Sequence, residues 1–132
     1  SVTHADGTVE TPQEGSSTRV IDESVADQVK NAMESVAEGY SKVVNVKGYR
    51  IAAKTGTAEV AGSDGRLTSI VADFAGMIPA DNPRFAMIMK DPQGTYGGMT
   101  AGPVFAKIGE FLMQKYNVPT SSPRNDAIAV DW

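Results

Sequence analysis

Gly48-Tyr49-Arg50-Ile51-Ala52-Ala53-Lys54-Thr55-Gly56-Thr57-Ala58 is the stretch on which the fold turns. Two chemistries compete for it. Read as Gly-x-x-x-x-x-Lys-Thr it falls one residue short of a phosphate-binding loop, which needs glycine where Ala53 stands. Such a loop must wrap its amides round phosphate and enter a helix at once. Here the residues before Lys54 are aromatic and β-branched, and Thr-Gly-Thr-Ala-Glu-Val comes after it with no helical period, so Tyr49 to Ala58 reads as a strand. On a strand, Lys54 supplies a fixed positive charge, and Thr55 and Thr57 supply hydroxyls for a carboxylate. Gly56 leaves room for another backbone against the strand. An extended peptide could pair with such an edge, and the Thr57 N–H could serve an oxyanion. The blander reading is an exposed lysine beside a Thr-Gly bend, and the tripeptide alone does not exclude it.

Working outward, the 69–78 and 85–89 runs also read as strands. Gly62-Ser63-Asp64-Gly65 is the turn between the first pair and Pro79-Ala80-Asp81-Asn82-Pro83 the turn between the second. Connections this short predict an antiparallel meander, since parallel crossovers need a dozen or more residues. Phe85-Ala86-Met87-Ile88-Met89 is apolar on both faces, which predicts a central place in the sheet. A helix precedes the sheet, with Asp22 as its N-cap, a core stripe of Val25, Val29, Ala32, Met33 and Val36, and Gly39 as its stop. A second helix comes after the loop Gly94-Thr95-Tyr96-Gly97-Gly98. Thr100 is its expected N-cap, Pro103 falls in its first turn, and Val104, Ile108, Phe111, Leu112 and Lys115 form its stripe. A hairpin round Ala5-Asp6-Gly7 opens the chain and a Pro-, Gly- and Ser-rich connection covers 11–17. The polar tail 120–132 ends in Ala127-Ile128-Ala129-Val130, which could add an edge strand or stay loose. The fold class is α+β, three strands with two amphipathic helices that leave one sheet face thinly covered.

With 132 residues the chain suffices for one modest domain. Its net charge of -4 argues against nucleic acid as the main partner. The absence of cysteine removes disulfides, thiolate metal sites and cysteine nucleophiles. The single His4 cannot build a metal cluster and reads as an ordinary residue beside the Asp6-Gly7 turn, so neither metal nor cofactor is expected. No apolar stretch approaches the ~20 residues that span a bilayer.

The span from Val20 to Pro119 resembles the end of the transpeptidase domain of class B penicillin-binding proteins, especially the cell-division type. Six spaced blocks carry the resemblance: Arg19-Val20-Ile21-Asp22 and Val36-Ala37-Glu38-Gly39, the stretch 48–60, the stretch 74–85, Tyr96-Gly97-Gly98, and Ala101-Gly102-Pro103-Val104-Phe105. The opening 2–9 looks like the hairpin that precedes this helix in the family. The resemblance implies a penicillin-binding/serine β-lactamase-like fold, helices round a five-stranded antiparallel sheet, of which this chain supplies three strands and flanking helices. It implies residues 1–119 as the C-terminal portion of that domain and 120–132 as a tail. The implied activity is peptidoglycan D,D-transpeptidation, in which a serine attacks the penultimate D-Ala carbonyl, releases the last D-Ala and passes the acyl group to another stem's amine. β-Lactams mimic the D-Ala-D-Ala end. Carried over, Lys54 and Thr57 are the catalytic candidates, and Thr55, Gly56, Thr57 and Tyr96 the substrate-binding ones, Tyr96 equally well a packing residue at the rim.

The family also needs a Ser-x-x-Lys, whose serine is the nucleophile and whose lysine is its base, and a Ser-x-Asn. Neither occurs here: Ser41 and Lys42 are adjacent, and Ser122-Pro123-Arg124-Asn125 has the wrong spacing. The expected partners are therefore the part of the same protein bearing those motifs, the stem peptide, β-lactams and other cell-division proteins. The expected location is the outer face of the bacterial cell membrane, with the anchor outside this chain. One other reading stays open on the residues, a non-catalytic module that binds peptide C-termini by strand addition, whereas the strand character of 48–58 weighs heavily against a small nucleotide-binding domain.

Overall fold

The computed structural model describes residues 2–11, 15 and 18–128. The elements run β1 (Val2–Thr3), β2 (Val9–Glu10), α1 (Glu23–Gly39), β3 (Ala52–Ala61), β4 (Leu67–Ile78), β5 (Phe85–Asp91) and α2 (Gly97–Lys115). β1 and β2 form the expected hairpin. Gly7, at φ 84°, turns it, and the Asp6 carboxylate accepts the Thr8 N–H at 2.9 Å and its hydroxyl at 2.6 Å. Most of the 11–17 connection lies outside the described residues.

The meander is antiparallel in the order β3-β4-β5. The first turn closes where expected, with Gly62 N–H donating to Arg66 O and Gly65 N–H to Gly62 O. β3 starts three residues later than predicted and runs on to Ala61. Gly48, at φ 86°, and a tight Val46–Tyr49 turn bend the chain just before it. β5 is not central: among the described residues it is an edge strand and β4 is the middle one. Phe85, Met87 and Met89 are half-buried, whereas Ile88, on the other face, is 65% exposed.

α2 covers the face that holds Ala53, Phe74 and Ile78. The Phe74 and Phe105 rings meet edge to face at 5.2 Å, and with Ile78 and Met113 they are the largest fully buried side chains. Burying each is worth about 1.5–3 kcal/mol. The face of α2 turned inward differs from the expected stripe. Gly98, Ala101, Gly102, Phe105, Gly109 and Met113 are buried, while Val104, Ile108 and Phe111 are exposed. Small residues win because the helix lies so close to the segment after α1: a Cβ at Gly102 would stand 2.5 Å from Val44, and one at Gly98 would run into the Tyr40 ring. The helix also begins at Gly97 with Tyr96 as N-cap, so Thr100 sits inside it, its hydroxyl donating to Tyr96 O at 3.2 Å, and Pro103 lies beyond the first turn.

α1 starts after Asp22 and stops at Gly39 as predicted, but its stripe does not reach the core. Val25 and Val29 are exposed, and the buried residues are Glu34, Ser35 and Ala37. A charge network explains the rotation. Glu34, 3% exposed, takes both Arg50 Nε and Arg50 Nη2, the latter at 2.8 Å. Arg124 ion-pairs Glu34 at 3.8 Å and Glu38 at 2.8 Å, and donates to Ser35 Oγ at 2.9 Å and to Asn31. The carboxylate raises the Arg50 pKa through its hydrogen bond, against burial.

The same network holds the tail. Residues 120–128 form no strand, nor are they loose; Ala129 and Val130 lie outside the described residues. Ser121 N–H donates to Gly48 O, the Ser121 hydroxyl donates to Asp81 at 2.7 Å, and Ser122 N–H donates to Asp81 at 2.9 Å. Burial pushes the Asp81 carboxyl up, but these bonds and the Arg50 charge outweigh it and hold the group below its ordinary 3.8. A carboxyl depressed in this way contributes stability that is complete above the unfolded value and is lost as pH falls through the folded one. Titration of the Asp81 carboxyl carbon by NMR should therefore show a midpoint below 3.8, with the Ser122 amide shift moving in parallel. A midpoint at or above 3.8 would contradict the clamp.

Candidate active site

The residues Lys54, Thr55, Gly56 and Thr57 lie in the first half of β3, an edge strand among the described residues, so half of its backbone groups face away from β4. After Lys54-Thr55 the chain runs on as strand to Ala61 and enters no helix, which excludes the phosphate-loop reading. Register sets the faces: Thr55 opposes Phe74 and Thr57 opposes Ala72, on the α2 side, while Lys54 opposes Ala75 and Gly56 opposes Asp73 on the other. Lys54 and Thr57 are exposed and Thr55 half-buried. Lys54 Nζ donates to Thr55 O at 2.7 Å and reaches Thr55 Oγ1 at 3.5 Å. Side chains from opposite faces can meet in this way only round the strand's open edge. The edge therefore carries an ammonium and a hydroxyl side by side, a pair suited to a carboxylate.

Two residues that sequence reasoning missed shape this edge. The Asp73 side chain lies over Gly56, where a Cβ would stand 3.1 Å from Asp73 Cβ. Asp73 Oδ1 is buried with no hydrogen-bond partner. Its signal in the sequence is a lone charge within the apolar run 70–78. The other is Gly97, where a Cβ would collide with Asp73 O and stand 2.7 Å from Gly56 O. The start of α2 thus rests directly on the backbone of the box. Tyr96, the residue before it, is brought to the flank of the box with its side chain 67% exposed.

Gly97→Ala should consequently push α2 off β3 and β4. Backbone atoms cannot rotate away as a side chain can, so a loss of about 1–3 kcal/mol or more is expected in urea unfolding of the intact protein. A neutral substitution there would mean that α2 is not seated as described.

Among the described residues, no group of three or more His, Asp or Glu is placed to hold a metal ion, and no helix is long and apolar enough to cross a membrane. His4 lies 3.3 Å from Glu10 in the opening hairpin.

The model of the penicillin binding protein transpeptidase domain matches residues 2–110. The chain belongs to that family. Peptidoglycan D,D-transpeptidase FtsI of Escherichia coli is 43% identical over 107 residues, 76% of this chain and 18% of that protein. A peptidoglycan synthetase from Bifidobacterium adolescentis matches 98% of this chain and 24% of its own, with 65% identity and a TM-score of 0.77. Penicillin-binding protein A of M. tuberculosis, solved as a ceftriaxone acyl-enzyme complex, matches 68% of this chain and 21% of its own at 28% identity, with a TM-score of 0.59. The chain thus spans about a fifth of the curated relative's length. The three-stranded antiparallel sheet with its two helices is the transpeptidase-domain α+β fold, as the six blocks implied. Nothing in the comparisons favours the binding-module alternative.

Proposed function

We propose that this chain is the C-terminal portion of the transpeptidase domain of a cell-division type class B penicillin-binding protein, which cross-links peptidoglycan stems and is acylated by β-lactams. The observation that carries the reading is the Lys54–Thr57 edge: an ammonium and hydroxyls on an open strand, in a chain 43% identical to a peptidoglycan D,D-transpeptidase. In this reading the stem's D-Ala-D-Ala end lies antiparallel to β3 as an added strand. Lys54, Thr55 and Thr57 hold the terminal carboxylate and Gly56 admits the peptide backbone. The Thr57 N–H donates to the carbonyl oxygen that becomes the oxyanion. The serine Oγ, from a Ser-x-x-Lys elsewhere in the protein, bonds to the penultimate D-Ala carbonyl carbon. Collapse of the tetrahedral intermediate breaks the peptide bond, and the leaving amine takes the proton that the motif's lysine removed from the serine. A second stem's amine then takes the acyl group and regenerates the hydroxyl.

Tyr96 forms the rim of the groove. The Ser-x-x-Lys and Ser-x-Asn partners, the location on the outer face of the membrane and contacts with other division proteins belong to the same proposal. The exposed apolar residues Val104, Ile108, Phe111 and Ile88 fit it, since the rest of the domain would cover them. The test is acylation of the intact protein by a labelled penicillin, wild type against Lys54→Ala, with the variant expected to react far more slowly at unchanged stability.

A further inference from the structure

The entry of β3 is held by residues far along the chain. Tyr49 Oη donates to Val118 O at 2.6 Å, Ser121 N–H to Gly48 O at 2.9 Å, and Arg50 N–H to Ser121 Oγ at 3.0 Å. Thr120 packs on Gly48, where a Cβ would stand 3.0 Å from Thr120 Cγ2. Residues 118–121 thus hold three consecutive residues, Gly48, Tyr49 and Arg50, just ahead of Ala52, where pairing with β4 begins. The Ser121 hydroxyl in turn donates to Asp81, in the turn between β4 and β5. A second anchor ties the same segment to α1. Asn31, Ser35 and Glu38 lie along one face of that helix, and the guanidinium of Arg124, 6% exposed, meets all three. It donates to Asn31 O at 3.0 Å and to Ser35 Oγ at 2.9 Å, and it ion-pairs Glu38 at 2.8 Å. A planar fork can span such a set of acceptors where a point-like ammonium cannot. Asn31 returns a bond, its Nδ2 donating to Asp126 O at 2.9 Å.

The box follows this entry at once. Ile51, Ala52 and Ala53, the residues between Arg50 and Lys54, are all buried, and closely packed residues pass a shift along instead of absorbing it. Along its outer edge the box has no neighbouring strand among the described residues, so its setting depends on β4 and on the entry. We propose that Ser121 and Arg124 are positioning residues for the box: Ser121 pins the entry of β3, Arg124 rivets the pinning segment to α1, and together they set the direction in which Lys54 and the Thr57 N–H meet a substrate. The inference rests on the transpeptidase reading and adds to it the residues that aim the strand. Neither residue takes part in bond making or breaking.

Ser121→Ala, which removes only a hydroxyl, and Arg124→Ala, which removes the rivet, test it in the intact protein. Two readouts are taken from each variant well below its unfolding midpoint. Amide hydrogen exchange, followed by mass spectrometry, should quicken about three- to tenfold over 48–57 in both variants and keep the wild-type rate over 85–91, because only the entry is released. The second-order rate of acylation by a labelled penicillin should fall about tenfold, the order of loss expected when reacting groups are displaced by a fraction of an ångström. A merely structural role would quicken exchange over both segments alike and leave acylation of the folded protein unmoved, and that result would overturn the inference. Faster exchange over 48–57 at the wild-type acylation rate would overturn it too, since the entry would then move without moving the box. So would Ser121→Ala and Arg124→Ala proteins that match the wild type in both readouts. In all three cases penicillin acylation of the wild type leaves the transpeptidase reading standing. A wild type that forms no penicillin adduct would remove both.

Discussion

Lys54→Ala in the intact protein should slow acylation by a labelled penicillin by about a hundredfold to a thousandfold, the loss typical of removing one preorganised electrostatic group from an acyl-transfer site. Lys54 is exposed, and among the described residues its ammonium is placed on the Thr55 carbonyl and hydroxyl at the open edge of β3. Nothing in the core leans on it, so the unfolding midpoint should move little. The pair of results separates a role at the site from a role in the fold. Acylation at the wild-type rate would remove Lys54 from the site and with it the assignment of the box. A matching fall in stability would place Lys54 among the structural residues.

Glu34→Ala should have the opposite signature. Its carboxylate is 3% exposed and sits between the guanidinium groups of Arg50 and Arg124. Deleting it removes the buried anion of the network and leaves Arg50 and Arg124, the latter only 6% exposed, with the more exposed carboxylates Asp126, at 3.7 and 3.5 Å, and Glu38, at 2.8 Å from Arg124. Breaking a buried ion pair on one side costs about 3–5 kcal/mol when the remaining charge is uncompensated; Asp126 and Glu38 offset part of that here, so a loss of about 2–3 kcal/mol is expected. The damage spreads further, because Arg50 also orients the start of β3: its N–H donates to Ser121 Oγ at 3.0 Å, and its carbonyl accepts the Ala80 N–H at 2.8 Å. Glu34→Gln, which keeps the shape and one acceptor, should lose less. Urea midpoints of the intact protein at constant slope would measure both, and a loss under about 1 kcal/mol for Glu34→Ala would show that the network is not holding α1.

The contrast between these two sites explains what the sequence made legible. Runs of β-branched and aromatic residues broken by Gly-Ser-Asp-Gly and by Pro79–Pro83 identified three strands and their antiparallel order, because turn chemistry is local. The Lys-Thr-Gly-Thr box was legible for the same reason: its residues are consecutive, and only the strand that carries them had to be recognised. The faces of the helices were not. Hydrophobic periodicity turns Val25 and Val29 of α1 inward, yet Glu34 and Ser35 are buried there, since two arginines distant in sequence arrive to pair with them. In α2 the glycines that periodicity discounts are the points of closest packing, because only a hydrogen fits at Gly97 against β3 and β4, at Gly98 against Tyr40 and at Gly102 against Val44. Asp73 and the seating of Gly97 against Gly56 arise from contacts between elements, which a one-dimensional pattern does not encode. The tail behaves likewise, its Arg124 being recognised only by partners far earlier in the chain, Asn31 and Ser35 among them.

In the proposed function Lys54, Thr55, Gly56 and Thr57 are the carboxylate-binding part of a serine acyl-transfer site whose nucleophile lies elsewhere in the same protein. Intact mass spectrometry of the whole protein before and after incubation with a penicillin, with proteolytic mapping of the adduct, tests it most directly. The predicted result is a single adduct of one penicillin mass, carried by the serine of a Ser-x-x-Lys outside these residues. No adduct, or an adduct on a serine of this chain, would contradict it.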